Sequence, residues 1–274
     1  MSECSHNCSE CAQNCSERKN PQSFLKPMNK YSNIKKVIGV ISGKGGVGKS
    51  LVSCLLAAKC TKAGLKVGVL DADITGPSVP KSFGITSRAM QDSENLLPYV
   101  TESGVKVMSI NMLLEDVNSP VVWRGPVISG VVEQFWTDVR WGELDYLFVD
   151  MPPGTGDVAL TVFQSLPVDG VVIVSTPQDL VKMIVNKAVN MANLMDVPVL
   201  GLVENMSYFT CPDCGKKYEI FGKSQIDETA KELSLPVLAK LPINPELNRL
   251  VDEGRVEDAQ CEELDEFVDT LKDC

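Results

Sequence analysis

The chain has 274 residues, 36 of them acidic, 26 basic and ten cysteine, for a formal net charge of −10. A hydrophobic share of 44% and a charged share of 23% allow a sizeable core and exclude a disordered or collagen-like chain. No apolar run approaches the roughly 18–20 residues that span a bilayer, and the acidic balance argues against nonspecific nucleic-acid binding.

Residues 1–33 are polar and lack apolar periodicity, so we expect a flexible tail there and a single domain over 34–274. The polar, cysteine-bearing start is not a secretory signal, and we expect a cytoplasmic protein with no membrane or nucleic-acid partner. In the tail, Cys4, Cys8, Cys11 and Cys15 are spaced C-x3-C-x2-C-x3-C, with His6 among them. Four thiols this close can surround one metal centre. A 4Fe–4S cluster and zinc both fit, and so does a tail that holds no metal.

The texture changes at Lys35. Val37–Ile41 is a short β-branched run, read as a strand buried on both faces. Gly43-Lys44-Gly45-Gly46-Val47-Gly48-Lys49-Ser50 follows it directly and opens a helix over about 49–63. This is G-x-x-x-x-G-K-[ST] in its strand–loop–helix context. Successive N–H groups of such a loop point at phosphate oxygens, and the helix N-terminus adds favourable partial charge. Lys49 is expected to reach the β/γ-phosphates of ATP and the Ser50 hydroxyl to ligate Mg²⁺. Cys54 and Cys60, on the following helix, are expected to be buried small hydrophobes.

Lys66–Leu70 is the second strand, ending at Asp71-Ala72-Asp73 and Ile74-Thr75-Gly76-Pro77-Ser78. A third strand over 105–110 precedes Trp123-Arg124-Gly125-Pro126, which has no assigned role, and a helix over 126–139. Tyr146–Val149 is a strand leading into Asp150-Met151-Pro152-Pro153-Gly154-Thr155-Gly156-Asp157. A carboxylate at the end of a strand beside a P-loop is where Mg²⁺ needs one, directly or through water. Asp150 is thus the Walker B candidate, with the following loop as a γ-phosphate switch. Asp73 is the candidate for orienting the attacking water, and Asp71 is expected to support the metal shell.

Helices over 157–165, 179–195 and 224–234 alternate with strands over 171–174, 197–203 and, more weakly, 237–241. The alternation predicts an α/β fold, a mostly parallel sheet with helices on both faces. Between them, Cys211-Pro212-Asp213-Cys214-Gly215 is a C-P-x-C-G knuckle. Two thiolates two residues apart bind one centre together, yet tetrahedral zinc or a cubane cluster takes four ligands. A twofold dimer would supply four. A shared cluster, a structural zinc and a redox-active dithiol all fit C-x-x-C itself; the ATPase context favours the cluster. Finally, Leu264, Phe267, Val268 and Leu271 fall at i, i+3, i+4 and i+7, an amphipathic closing helix. Residues 252–274 carry −8 of the net charge, which leaves the ATPase body near neutral.

Lys44, a second lysine early in the loop, resembles the deviant Walker A of the MinD/ParA/nitrogenase-iron-protein (SIMIBI) class. That resemblance implies a homodimer in which Lys44 reaches the partner's phosphates. The full set of motifs, with Val203-Glu204-Asn205-Met206-Ser207 and C-P-x-C, resembles the Mrp/ApbC family of iron–sulfur cluster carriers from about Lys35 to Asn248. The resemblance implies an ATP-hydrolysing homodimer. It would hold a labile 4Fe–4S cluster between paired Cys211 and Cys214 and pass it to apo-proteins. It also implies Asn205 at the adenine, with Pro242 and Asn244 of Pro242-Ile243-Asn244-Pro245 lining the base. The rival readings are a MinD/ParA-like positioning ATPase, a redox enzyme like the nitrogenase iron protein and a zinc-stabilised regulatory ATPase. The first of these would need a basic or membrane-seeking surface, which the acidic terminal helix does not provide.

Overall fold

The structure is a computed structural model that describes residues 24–73, 76–114, 125–154, 156–178 and 181–273. The cysteines of the tail, His6, Ile74, Thr75, Trp123, Arg124, Thr155 and Cys274 lie outside the described residues. The elements run β1 (Asn33–Ile41), α1 (Lys49–Lys62), β2 (Val67–Asp71), α2 (Ser78–Ser82), β3 (Met90–Gln91), β4 (Leu96–Leu97), β5 (Tyr99–Val100) and β6 (Lys106–Ser109). They continue with α3 (Gly125–Thr137), β7 (Glu143–Asp150), α4 (Asp157–Ser165), β8 (Gly170–Ser175), α5 (Val181–Leu194) and β9 (Val199–Glu204). The chain closes with β10 (Phe209–Thr210), β11 (Lys217–Tyr218), α6 (Ile226–Leu233), β12 (Val237–Lys240), α7 (Pro245–Asp252) and α8 (Asp265–Lys272).

Eight strands form one sheet in the order β12-β9-β8-β1-β7-β2-β6-β5. All neighbours are parallel except β5, which runs antiparallel to β6 at one edge. Alternate side chains of each strand feed two cores. Ile38, Val40, Val69, Phe148, Val172 and Val203 face α1, α7 and α8. Val37, Ile41, Leu70, Leu147, Val149 and Ile173 face α3, α4 and α5. Burial on both faces explains why these strands are unbroken apolar runs. The predicted strands and the predicted helices are all present, within three residues at their ends except that β1 begins four residues earlier, at Asn33.

α1 lies between the sheet and α8 and is buried nearly all round, Cys54 and Cys60 included. The closing helix packs as its spacing predicts, with Leu264, Phe267, Val268 and Leu271 inside. The Tyr146 hydroxyl donates to the Leu271 carbonyl at 2.7 Å, and Lys59 pairs with Asp265, so the end of the chain is fastened to both sheet and α1. Residues 26–33 were expected to belong to the tail, but they lie on the domain. Buried Asn29 donates to Asn95 and to the Thr137 carbonyl, and Trp136 Nε1 donates to the Lys26 carbonyl. The buried amide and indole N–H need these partners, which composition alone does not reveal.

Two glycines fix α2 against α7. A Cβ on Gly254 (φ +74°) would stand 2.4 Å from Gly84 Cα, and one on Gly84 would stand 2.9 Å from the Gly254 carbonyl oxygen. Neither backbone can yield without moving the other. Gly254→Ala is expected to destabilise the domain by more than about 1 kcal/mol, measured as a lowered urea midpoint at unchanged slope. An unchanged midpoint would contradict this close packing.

Candidate functional site

The carboxyl edge of the parallel sheet collects the chemistry. β1 runs into the glycine loop, β2 ends at Asp71, β7 at Asp150 and β9 at Glu204. Asp71 and Asp150 face each other in register across β2 and β7. A cleft of about 390 Å³ opens above this edge, lined by Ser42, Gly45–Leu51, Asp73, Pro153 and Val251, with Ser78, Lys81 and Ser82 from α2. A larger hollow of about 670 Å³ lies beside it between α2 and the end of α7, sharing only Lys81. Size does not mark the site here; the glycine loop does.

Lys49 is 6% exposed, its ammonium 2.9 Å from Asp150 Oδ1 and 3.6 Å from Asp73 Oδ2. Neither contact has hydrogen-bond alignment, so a buried ammonium faces the cleft without a directed acceptor. Asp150 is fully buried beneath the loop and accepts from Ser50 Oγ at 2.6 Å and Ser53 Oγ at 2.8 Å. Ser53 was not singled out from sequence, though its place three residues after Ser50 on one helix face was the available signal.

Asp71 stands one layer back. Its carboxylate accepts from Ser109 Oγ at 2.7 Å and from the Asp73 backbone N–H at 3.0 Å. Burial, then the charge of Asp150, pushes its carboxyl well above the usual carboxylate range. Both oxygens therefore hold Asp73 and β6 in place, and Asp71 does not line the cleft.

Gly43, Lys44, Asp150, Asn205, Pro242 and Asn244 also lie outside the cleft lining. The half-buried Lys44 hydrogen-bonds Gln178. Asn205 is buried at the base of the loop, where its Nδ2 donates to the Val47 carbonyl at 3.0 Å and its Oδ1 accepts from Met206 N–H. Gly48 (φ +83°) makes this approach possible, because a Cβ there would meet Asn205 Nδ2 at 2.2 Å. Pro242 and Asn244 line a separate hollow of about 170 Å³ with Cys261 and Glu263. The Asn244 side chain caps α7, accepting from Glu246 and Leu247 N–H.

The knuckle lies on the hairpin that follows β9. β10 and β11 pair antiparallel, Phe209 opposite Tyr218 and Thr210 opposite Lys217. Gly215 N–H donates to the Cys211 carbonyl and Cys211 N–H to the Lys216 carbonyl, closing the turn. The backbone N–H groups of Asp213 and Cys214, and the Cys214 thiol, hold the Cys211 thiol below its ordinary range. Cys214 is exposed and Cys211 half-buried. Among the described residues no group of three or more His, Cys, Asp or Glu could hold a metal ion, and Cys211 and Cys214 stand there as a pair of free thiols. Tyr218, Ile220 and Phe221 stand exposed on the same excursion.

The other described cysteines are closed off. Burial pushes the Cys60 and Cys261 thiols up to about 12, and Cys54 is fully buried. Iodoacetamide near neutral pH is therefore expected to label Cys211 and Cys214 of the folded protein and spare these three, read by peptide mass mapping. Equal labelling of Cys60 would contradict their packing.

A glycine loop joining a parallel strand to a helix, with buried lysine and aspartate beneath it, defines a P-loop nucleotide-binding protein. The chain belongs to the ParA-type family described as NUBPL iron-transfer P-loop NTPase, whose model matches residues 33–273. It is 53% identical over 236 residues to the iron–sulfur cluster carrier protein of Clostridium perfringens, with 83% of each chain covered. It is 44% identical over 260 residues to that of Methanocaldococcus jannaschii, covering 93% of this chain and 90% of the relative. A solved nucleotide-binding protein from Archaeoglobus fulgidus, in complex with ADP, superposes with a TM-score of 0.77 at 45% identity, over 86% of this chain and 92% of that one. MinD of Aquifex aeolicus shares the fold, at 20% identity and a TM-score of 0.60, over 87% of this chain and 95% of that one.

Proposed function

We propose that the chain is an iron–sulfur cluster carrier. ATP at the P-loop governs a 4Fe–4S cluster held as cargo by Cys211 and Cys214 of two copies and delivered to apo-proteins. The observation that carries this reading is a pair of accessible thiols, two residues apart, on a P-loop scaffold. Relatives named iron–sulfur cluster carrier protein match along most of the chain and support it. A second copy completes the four thiolates that a cubane takes.

The residues fit Mg-ATP. A buried ammonium lacking a directed acceptor suits phosphate oxygens, and a hydroxyl touching a carboxylate is a hard oxygen donor set. Mg²⁺, when bound, supplies positive charge against the β/γ-phosphate oxygens. The backbone of Gly43–Ser50 cradles the phosphates, and Lys49 turns from Asp150 towards them. Ser50 and Asp150 hold the metal side, with Asp71 supporting Asp73. Asp73 orients the attacking water and takes up its proton. Lys44 leaves Gln178 to reach the partner's nucleotide. Asn205, Pro242 and Asn244 line the adenine end. Cys4, Cys8, Cys11 and Cys15 are the candidate ligands of a second metal centre, a 4Fe–4S cluster or zinc, or hold none. The site is that of a cytoplasmic ATPase whose domain of 34–274 also takes in residues 26–33.

Delivery is the test. The full chain, loaded anaerobically, is mixed with an apo-form of a 4Fe–4S enzyme, and the acceptor's activity is followed. Recovery faster than with equal free iron and sulfide is expected. Recovery no faster than that control would overturn the carrier reading.

A further inference from the structure

Glu204 is the last residue of β9 and is fully buried. Its two carboxylate oxygens accept from two hydroxyls, Ser207 Oγ at 2.5 Å and Ser224 Oγ at 3.0 Å. Ser207 stands where the chain enters the excursion that carries β10, Cys211, Cys214 and β11. Ser224 stands where it leaves. One buried carboxylate thus fastens both feet of the thiol-bearing hairpin. The entering foot is also tied by backbone bonds to the segment before α7: Ser207 N–H to the Leu241 carbonyl, and Ile243 N–H to the Tyr208 carbonyl.

The same carboxylate adjoins the nucleotide loop by two routes. The next residue, Asn205, donates from its side chain to the Val47 carbonyl and from its backbone to Ser175. On the other side, Glu204 borders a hollow of about 130 Å³ with Phe221, Gly222 and Lys223 of the hairpin and with Gln178, the partner of Lys44. Val47 and Lys44 both belong to the glycine loop, Gly43–Ser50. Coupling between two sites requires an element whose arrangement both sites bias. Glu204, with its two serines, meets both of the hairpin's feet and stands beside both contacts to the loop.

We infer that Glu204 is a positioning residue that carries the nucleotide state of the P-loop to the geometry of the Cys211–Cys214 pair. It touches neither nucleotide nor thiol. This inference rests on the cluster-carrier reading for its meaning, but one of its tests does not. In the first, the full chain is loaded with its cluster and the rate of iron loss to a chelator is compared in MgADP and MgATP. In the second, the cluster-free chain is alkylated with iodoacetamide under the same two conditions, and Cys211 and Cys214 are quantified by mass mapping.

The parent chain is expected to change rate by about fivefold or more between nucleotides, the lower end of ordinary coupling. Glu204→Ala is expected to change by less than about twofold while still hydrolysing ATP. Ser207→Ala/Ser224→Ala, which keeps the carboxylate and removes its donors, should behave the same way and serves if Glu204→Ala does not fold. Glu204→Gln keeps an acceptor oxygen for one hydroxyl and should restore most of the response. A purely structural role would lower stability without flattening the nucleotide response.

If these variants respond as the parent does, the inference is overturned. If the parent shows no nucleotide response in either test, the inference is also overturned, while the carrier reading stands on its cluster. If the parent takes up no cluster but its alkylation responds and Glu204→Ala abolishes that response, the carrier reading falls and the inference survives.

Discussion

Lys49→Ala is expected to abolish ATP hydrolysis, lowering the rate by at least about 100-fold, the scale of losing one preorganised charge at a phosphoryl or oxyanion site. The expectation follows from geometry. Lys49 is the buried cation that faces the cleft without a directed acceptor. Its loss also leaves Asp150 fully buried with only the Ser50 and Ser53 hydroxyls. Removing one partner of a buried pair costs about 3–5 kcal/mol; two remaining hydroxyl donors place this case at the low end. Hydrolysis is read by phosphate release and stability by denaturant unfolding of the nucleotide-free protein. Cluster loading should persist in vitro, since Cys211 and Cys214 stand on a separate hairpin. Normal delivery of the cluster by Lys49→Ala in cells would contradict the coupling of hydrolysis to transfer.

Cys211→Ala/Cys214→Ala is expected to do the reverse. Its bridging cluster is lost completely, seen as the loss of about one cubane per two chains after anaerobic reconstitution. ATP hydrolysis should survive, because neither thiol lines the cleft and neither is in the core. The hairpin that carries them is short, with two residues in each strand, so truncating exposed thiols costs the fold little. A variant that keeps its full iron and sulfide would move the cluster to the tail cysteines. A variant that loses hydrolysis as well would mean that the knuckle completes the ATPase, a tighter link than the fold alone provides.

Much of the fold was legible in the sequence because its strands are buried on both faces and its helices alternate with them. Val37–Ile41, Tyr146–Val149 and Val171–Val174 carry that signal residue by residue. α2 and α7 were not singled out. α2 has only five residues, with Pro77 at its N-cap and Pro80 within it, and α7 shows itself by a cap and a proline, Asn244-Pro245. The phosphate loop and Cys211–Cys214 were legible because each is a local spacing. What stayed hidden is long-range. Asn205 reaches Val47, Lys44 reaches Gln178 and Ser224 reaches back to Glu204 only after the sheet has assembled. No periodicity records such contacts. The same reason explains why sequence places Asp71 near the metal shell without showing that it stands behind the cleft: an aspartate at a strand end looks the same in sequence whether it faces the cleft or the neighbouring strand.

In the proposed carrier one cluster is shared by two chains. Native mass spectrometry of the anaerobically reconstituted full chain with Cys4, Cys8, Cys11 and Cys15 all changed to Ser measures it most directly. The account predicts a dimer carrying a single four-iron, four-sulfide cluster, and cluster-free chains when Cys211→Ala/Cys214→Ala is added. A monomer that keeps the cluster, or tightly bound zinc with no iron uptake, would contradict it.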